Sequence, residues 1–186
     1  MENKKYIIFD LDGTLVDSYG TVVNTCKNVF ASYFMDRMPD DDFFVTYQCK
    51  DMEQMFLELA LRAGTSTDDF RNKYDHLYAL DCISGTSVIK EQYKIMEDAK
   101  SNGIGIIVLT NKKQNLAEEV CEKMFGYNVV DVVIGRKDTQ PIKPRHVIID
   151  RLLAHRINLD QCISYYGDSD LDRKTAELLG TKYFNV

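Results

Sequence analysis

The sequence predicts an α/β protein: a parallel β-sheet covered by helices on both faces, three layers in all, with an all-helical block inserted after the first strand. Three observations carry this expectation. Short apolar runs alternate with helical periodicities from residue 85 onward, residues 18 to 84 show helical spacing alone, and strand-like residues 6 to 9 precede both. With 186 residues, 45% of them hydrophobic, the chain is long enough for one substantial core and a small insert but short for two full-sized domains.

Tyr6 to Phe9 is a β-branched and aromatic run that stops at LDGT, whose Asp-Gly is a turn signal, so a strand and then a loop are expected. Ser18 is a candidate N-cap, and Val22, Val23, Cys26, Val29, Phe30 and Phe34 recur at helical spacing. Further helices are expected over Met52 to Arg62 and Asp68 to Leu80, with MPDDDFF and AGTSTDD as the breaks between them. After Gly85 a helix is expected over Ser87 to Ser101, then a break at Asn102-Gly103, then Ile104 to Leu109 as a continuously apolar strand buried on both faces. The alternation continues with a helix over Asn115 to Phe125, a strand over Val129 to Ile134, a helix over Arg145 to His155 and a strand over Cys162 to Tyr166. A last helix, Leu171 to Leu179, closes at Gly180, and Lys182 to Phe184 adds an edge strand. The expected division is an α/β core of residues 1–17 and 85–186 with a helical domain of 18–84.

Composition narrows the function. Twenty-three Lys and Arg against 29 Asp and Glu give a formal charge of −6, which argues against a broad clamp on a nucleic-acid backbone. No apolar run approaches the roughly 20 residues of a membrane-spanning helix, and the apolar patch before Asp10 is too short for a secretory signal. Cys26, Cys49, Cys82, Cys121 and Cys162 are scattered and never form C-x-x-C, which fits buried reduced thiols better than disulfides or zinc. A cytoplasmic protein, monomeric or a small homo-oligomer, with no nucleic-acid or membrane partner, is expected.

In open parallel sheets, ligands gather beyond the carboxyl ends of the strands. The first strand delivers Asp10 and Asp12 there, the strand ending at Leu109 delivers Thr110 and Asn111, and the strand ending at Tyr166 delivers Gly167, Asp168 and Asp172. Carboxylates far apart in sequence would meet at one rim and repel unless a cation joins them. A hard, oxygen-preferring dication that keeps some water, magnesium rather than an enclosed calcium, answers that need. One of the paired carboxylates can attack phosphorus while its neighbour handles the proton of the leaving oxygen. Gly13 lets backbone amides approach a phosphoryl oxygen, Thr110 and Asn111 offer a hydroxyl and a backbone N–H, and Lys143 supplies positive charge.

FDLDGTLVDS at 9–18, LTNK at 109–112, Lys143-Pro144 and GDSDLD at 167–172 together resemble the haloacid dehalogenase superfamily. The branch they resemble comprises the phosphoglycolate phosphatase-like and β-phosphoglucomutase-like members with a small helical cap. The resemblance implies a Rossmann-like core, Asp10 as a nucleophile forming an aspartyl-phosphate, Asp12 as general acid and base, and Thr110 with Lys143 binding the transferring group. Magnesium is implied on Asp10, the Asp12 carbonyl and Asp168, with Asp172 hydrogen-bonding metal water or orienting Lys143. Because dehalogenating members lack an acid at the second Asp, phosphoryl transfer is implied, with a small-molecule phosphate ester as substrate. Residues 18 to 84 take the place of the cap, which closes over the site and sets specificity. A phosphomutase, a phosphonate hydrolase using a cap lysine such as Lys50, and a catalytically silent phospho-ligand binder are the alternatives.

Other polar residues have plainer readings. Pro144 reads as a helix-starting proline at the first helical position. His76, His146 and His155 have no second ligand at helical spacing. Lys50, Arg62, Arg71 and Lys73 could meet a substrate anion, yet charges on helices are mostly solvated faces, and Phe43, Phe44 and Tyr47 fit a small helical core.

Overall fold

Apolar β-branched runs bounded by turn residues become strands, and amphipathic runs become helices, in the computed structural model, which describes residues 4–33, 38–48 and 52–186. In chain order the elements are β1 Tyr6–Phe9, β2 Val16–Asp17, α1 Tyr19–Ala31, α2 Asp41–Tyr47, α3 Met52–Ala63, α4 Thr67–Asp81, β3 Ser87–Val88, α5 Lys90–Ser101 and β4 Gly105–Lys113. They continue with α6 Gln114–Phe125, β5 Val132–Arg136, α7 Val147–Ala154, β6 Cys162–Gly167, α8 Asp170–Leu179 and β7 Lys182–Asn185. The chain divides into two compact units, residues 1–17 with 87–186, and residues 18–86.

The first unit is built on a parallel sheet of order β5-β4-β1-β6-β7. β1 lies near its middle, so residues leaving its carboxyl end emerge between those of β4 and β6. Ile8, Ile107, Leu109, Ile134 and Tyr165 face one way, into a core completed by Ile148 and Leu152 of α7 and Ala176 and Leu179 of α8. Period-two alternation turns Ile7, Phe9, Ile106 and Val108 the other way. That leaves the opposite face to α5 and α6, whose Tyr93 and Phe125 rings stack.

The second unit packs α1 on α4 and α3 on both. Phe30, Met55, Leu59, Phe70 and Tyr78 are fully buried within it. Arg71 is only 3% exposed; it pairs with Glu53 and lies over the Phe56 ring.

Several expectations are corrected. MPDDDFF is no break: Asp40 accepts the Phe43 amide at 3.0 Å, and Asp41 and Asp42 open α2, so the acidic run is an N-terminal cap. Ser18 precedes α1 but caps it through its carbonyl, which takes the Val22 amide, rather than through its side chain. Ser87 and Val88 pair antiparallel with Val16 and Asp17 as a two-residue ribbon, and the following helix starts only at Lys90. β5 begins at Val132, later than expected, because Asp131 anchors the entry: its amide donates to the Ile106 carbonyl and its carboxylate accepts the Ile106 amide. Pro144 does not open α7, which begins at Val147; the Lys143-Pro144 bond is cis. Cys26, Cys82, Cys121 and Cys162 are buried and not in disulfides, whereas Cys49 and Lys50 lie outside the described residues. No helix among the described residues is long and apolar enough to cross a membrane.

Candidate active site

β1 ends at Phe9 because Asp10 turns out of the ladder after one last bond, its amide donating to the Tyr166 carbonyl at 2.9 Å. The following loop winds around a single acceptor: the amides of Leu15 and Val16 donate to the Leu11 carbonyl at 2.9 and 3.0 Å. Gly13 sits at φ +79°, where a side chain is strained, and a Cβ there would fall 2.2 Å from Asp168 Oδ2. Its amide donates to the Val16 carbonyl at 2.8 Å. Gly13 therefore lets the loop backbone pass close against Asp168, with its own N–H engaged inside the loop.

Lys143 and three aspartates form the centre. Lys143 is 5% exposed, and its Nζ lies 2.9 Å from Asp10 Oδ1 and 2.7 Å from Asp172 Oδ1. Burial disfavours its charge, yet Asp10 and Asp172 outweigh burial and hold its pKa above the usual lysine value. Asp10 Oδ1 also accepts the Leu11 amide at 2.7 Å. Burial, then the neighbouring Asp172 charge, raise the Asp10 carboxyl well above its ordinary value despite Lys143. Asp168 is pushed up to about 6 by burial and then by Asp172. Asp10, Asp168 and Asp172 each offer an oxygen within 4.8 Å of one another.

This donor set, carboxylate oxygens crowded at one point with a single lysine to balance them, suits a hard divalent cation. Asp172 is the least available of the three. Its Oδ1 accepts Lys143 Nζ and Tyr165 Oη (2.9 Å), and its Oδ2 accepts the Ser169 amide (3.1 Å) and hydroxyl (2.5 Å). Its bond to Lys143 is compatible with the orienting role implied for it, and four hydrogen bonds already made leave it little capacity as a direct metal ligand.

The carboxyl end of β4 serves the rest of the site. β4 was expected to stop at Leu109 but runs on to Lys113, with its register to β5 interrupted between Leu109 and Lys113. Thr110 is buried, and its Oγ1 accepts the Lys112 amide at 3.1 Å. The Asn111 side chain has a role of its own: Oδ1 accepts the amides of Ile142 (2.9 Å) and Lys143 (3.0 Å), fixing the loop that carries the lysine. Asp12 stands apart from the central trio, its Oδ1 2.9 Å from Lys112 Nζ. Lys112 and Tyr165 were not singled out from sequence. The LTNK string contains Lys112, but Tyr165 in an apolar strand gave no sign beyond core packing.

In the helical unit, Arg71 is held by Glu53, while Arg62 and Lys73 lie over the rings of Phe43 and Tyr33.

Comparison with known proteins agrees with this arrangement. The family model described as haloacid dehalogenase-like hydrolase matches residues 7–186. The phosphoglycolate phosphatase of Aquifex aeolicus is 23% identical over 96% of this chain and 82% of its own length. Among solved structures, a haloacid dehalogenase-like family hydrolase from Streptococcus pneumoniae superposes with a TM-score of 0.77 at 20% identity, covering 100% of this chain and 85% of that one. CbbY from Rhodobacter sphaeroides, solved in complex with phosphate, gives a TM-score of 0.76 at 19% identity over 97% and 84% of the two chains. A match spanning nearly the whole chain, on a fold whose strand ends gather the residues described above, shows that this protein belongs to the haloacid dehalogenase-like hydrolases.

Proposed function

We propose that this enzyme is a magnesium-dependent, cytoplasmic phosphatase that hydrolyses a small-molecule phosphate monoester through an aspartyl-phosphate on Asp10. The observation that carries the proposal is the buried Lys143, 2.9 Å from Asp10 and held in place by Asp172 and by Asn111. A lysine fixed against a nucleophile's carboxylate neutralises the approach of a phosphate dianion and then the charge that develops on its oxygens. Asp10 and Asp168, with the Asp12 carbonyl, would hold Mg2+, which supplies positive charge to the phosphoryl oxygens when bound.

The Asp10 carboxylate attacks phosphorus as the ester P–O bond breaks, and Asp12 gives its proton to the departing oxygen. Asp12 then takes a proton from water as the water oxygen attacks phosphorus and the Asp10–phosphorus bond breaks. Thr110, buried at the end of β4, offers its hydroxyl to the transferring group. The name of the Aquifex aeolicus relative makes phosphoglycolate the first ester to try.

The test is phosphate release from a panel of glycolate, sugar and nucleotide phosphates with and without magnesium. Release that requires magnesium and is lost in Asp10→Asn supports the reading. Equal rates for wild type and Asp10→Asn contradict it, and isomer formation without phosphate release would mark a phosphomutase.

A further inference from the structure

We propose that Lys112 is the positioning residue for Asp12, holding the proton-transferring carboxylate in line with the leaving oxygen as Lys143 serves the nucleophile. The inference rests on the phosphoryl-transfer reading above. The interruption in register at the end of β4 lets three successive residues reach three different partners. Thr110 Oγ1 takes the Lys112 amide, Asn111 Oδ1 takes the Ile142 and Lys143 amides, and Lys112 Nζ reaches Asp12 Oδ1 at 2.9 Å. One short segment thus arranges both lysines, each against a different aspartate of the first loop.

Burial argues that the Lys112 contact has a purpose beyond solubility. The Lys112 side chain is 6% exposed although an unconstrained lysine carries its ammonium out to water. Burying an ammonium is costly unless it is paired, and such pairs give orientation more dependably than stability. Asp12 is 31% exposed, on the loop whose backbone is fixed around the Leu11 carbonyl. Its backbone is thereby set, and Lys112 restrains the side-chain torsions that remain.

The restrained step is the first one. The Asp10 oxygen forms its bond to phosphorus, the ester P–O bond breaks, its electron pair goes to the leaving oxygen, and that oxygen takes the proton of Asp12. A poorly aimed Asp12 should slow this step for esters whose leaving oxygen must be protonated, and much less for those that leave as stabilised anions. That difference separates positioning from general damage.

The experiment compares kcat/KM of wild type, Lys112→Met and Lys112→Arg on phosphoglycolate and on 2,4-dinitrophenyl phosphate at saturating magnesium, with melting curves for each variant. Lys112→Met should lose about 10- to 100-fold on phosphoglycolate, part of the roughly 10²–10⁴ that acid–base catalysis contributes, and under about threefold on the activated ester. Lys112→Arg should recover most of the loss. If Lys112→Met melts below the assay temperature, Lys112→Gln, which keeps a donor without the charge, takes its place. An equal loss on both esters, or none on phosphoglycolate, overturns the assignment while leaving the phosphatase reading intact. Failure of wild type to release phosphate from either ester, or full activity in Asp10→Asn, overturns both.

Discussion

The two units bury charge for different ends. In the helical unit, Arg71 is nearly inaccessible, its guanidinium tied to Glu53 and stacked on Phe56, so the charge is spent on packing among α3 and α4. In the α/β unit, Lys143 is equally hidden, but its partners Asp10 and Asp172 stand with Asp168 at the carboxyl ends of strands, more acids than one lysine can balance. A buried ion pair is thus a poor sign of function by itself. An unbalanced cluster at a sheet rim is a better one, because its excess charge calls for a further cation.

The comparison can be broken most severely at Asp10. Asp10→Asn should reduce kcat by at least about 10³-fold, as removal of a nucleophile does, while the thermal transition shows the protein still folded. Lys143→Met comes next. Initial-rate assays should show kcat/KM falling by about 10²-fold, and chemical denaturation a destabilisation of about 3 kcal/mol, because Asp10 and Asp172 are left buried without their cation. Gly13→Ala should weaken magnesium binding by about 10-fold in a calorimetric titration, since second-sphere changes typically cost 10- to 100-fold in metal affinity. The new Cβ must displace Asp168 Oδ2 from a position 2.2 Å away. Arg71→Met is the contrasting case: denaturation should show a loss of about 1–3 kcal/mol, and the folded fraction should keep its kcat/KM within about twofold. A large catalytic loss there, with stability intact, would erase the distinction between the units.

How far the sequence reveals this arrangement depends on whether a residue's role is set locally. The rim positions of Asp10, Asp12 and Asp168 are legible because apolar runs mark the strands and the polar residues that follow them have one place to go, whereas Lys143, in a loop well beyond β5, is singled out only by the Lys143-Pro144 motif. The chain order of strands and helices follows from the same alternation. β2 and β3 escape detection because two residues cannot show a period. α2 is hidden because the Asp40 cap and the acids after it look like a polar break. Tyr165 is missed because its hydroxyl meets Asp172 only once α8 folds back on β6. The role of Gly13 likewise needs the approach of Asp168, from a loop more than a hundred residues away in sequence.

The central claim is that this crowded rim lets Asp10 accept phosphorus, and rapid quenching of the enzyme with radiolabelled substrate tests it most directly. Acid-stable, hydroxylamine-labile label should appear on the peptide containing Asp10 within the first turnover, in the presence of magnesium and in wild type alone. Steady phosphate release with no label on that peptide at any quench time would contradict the account.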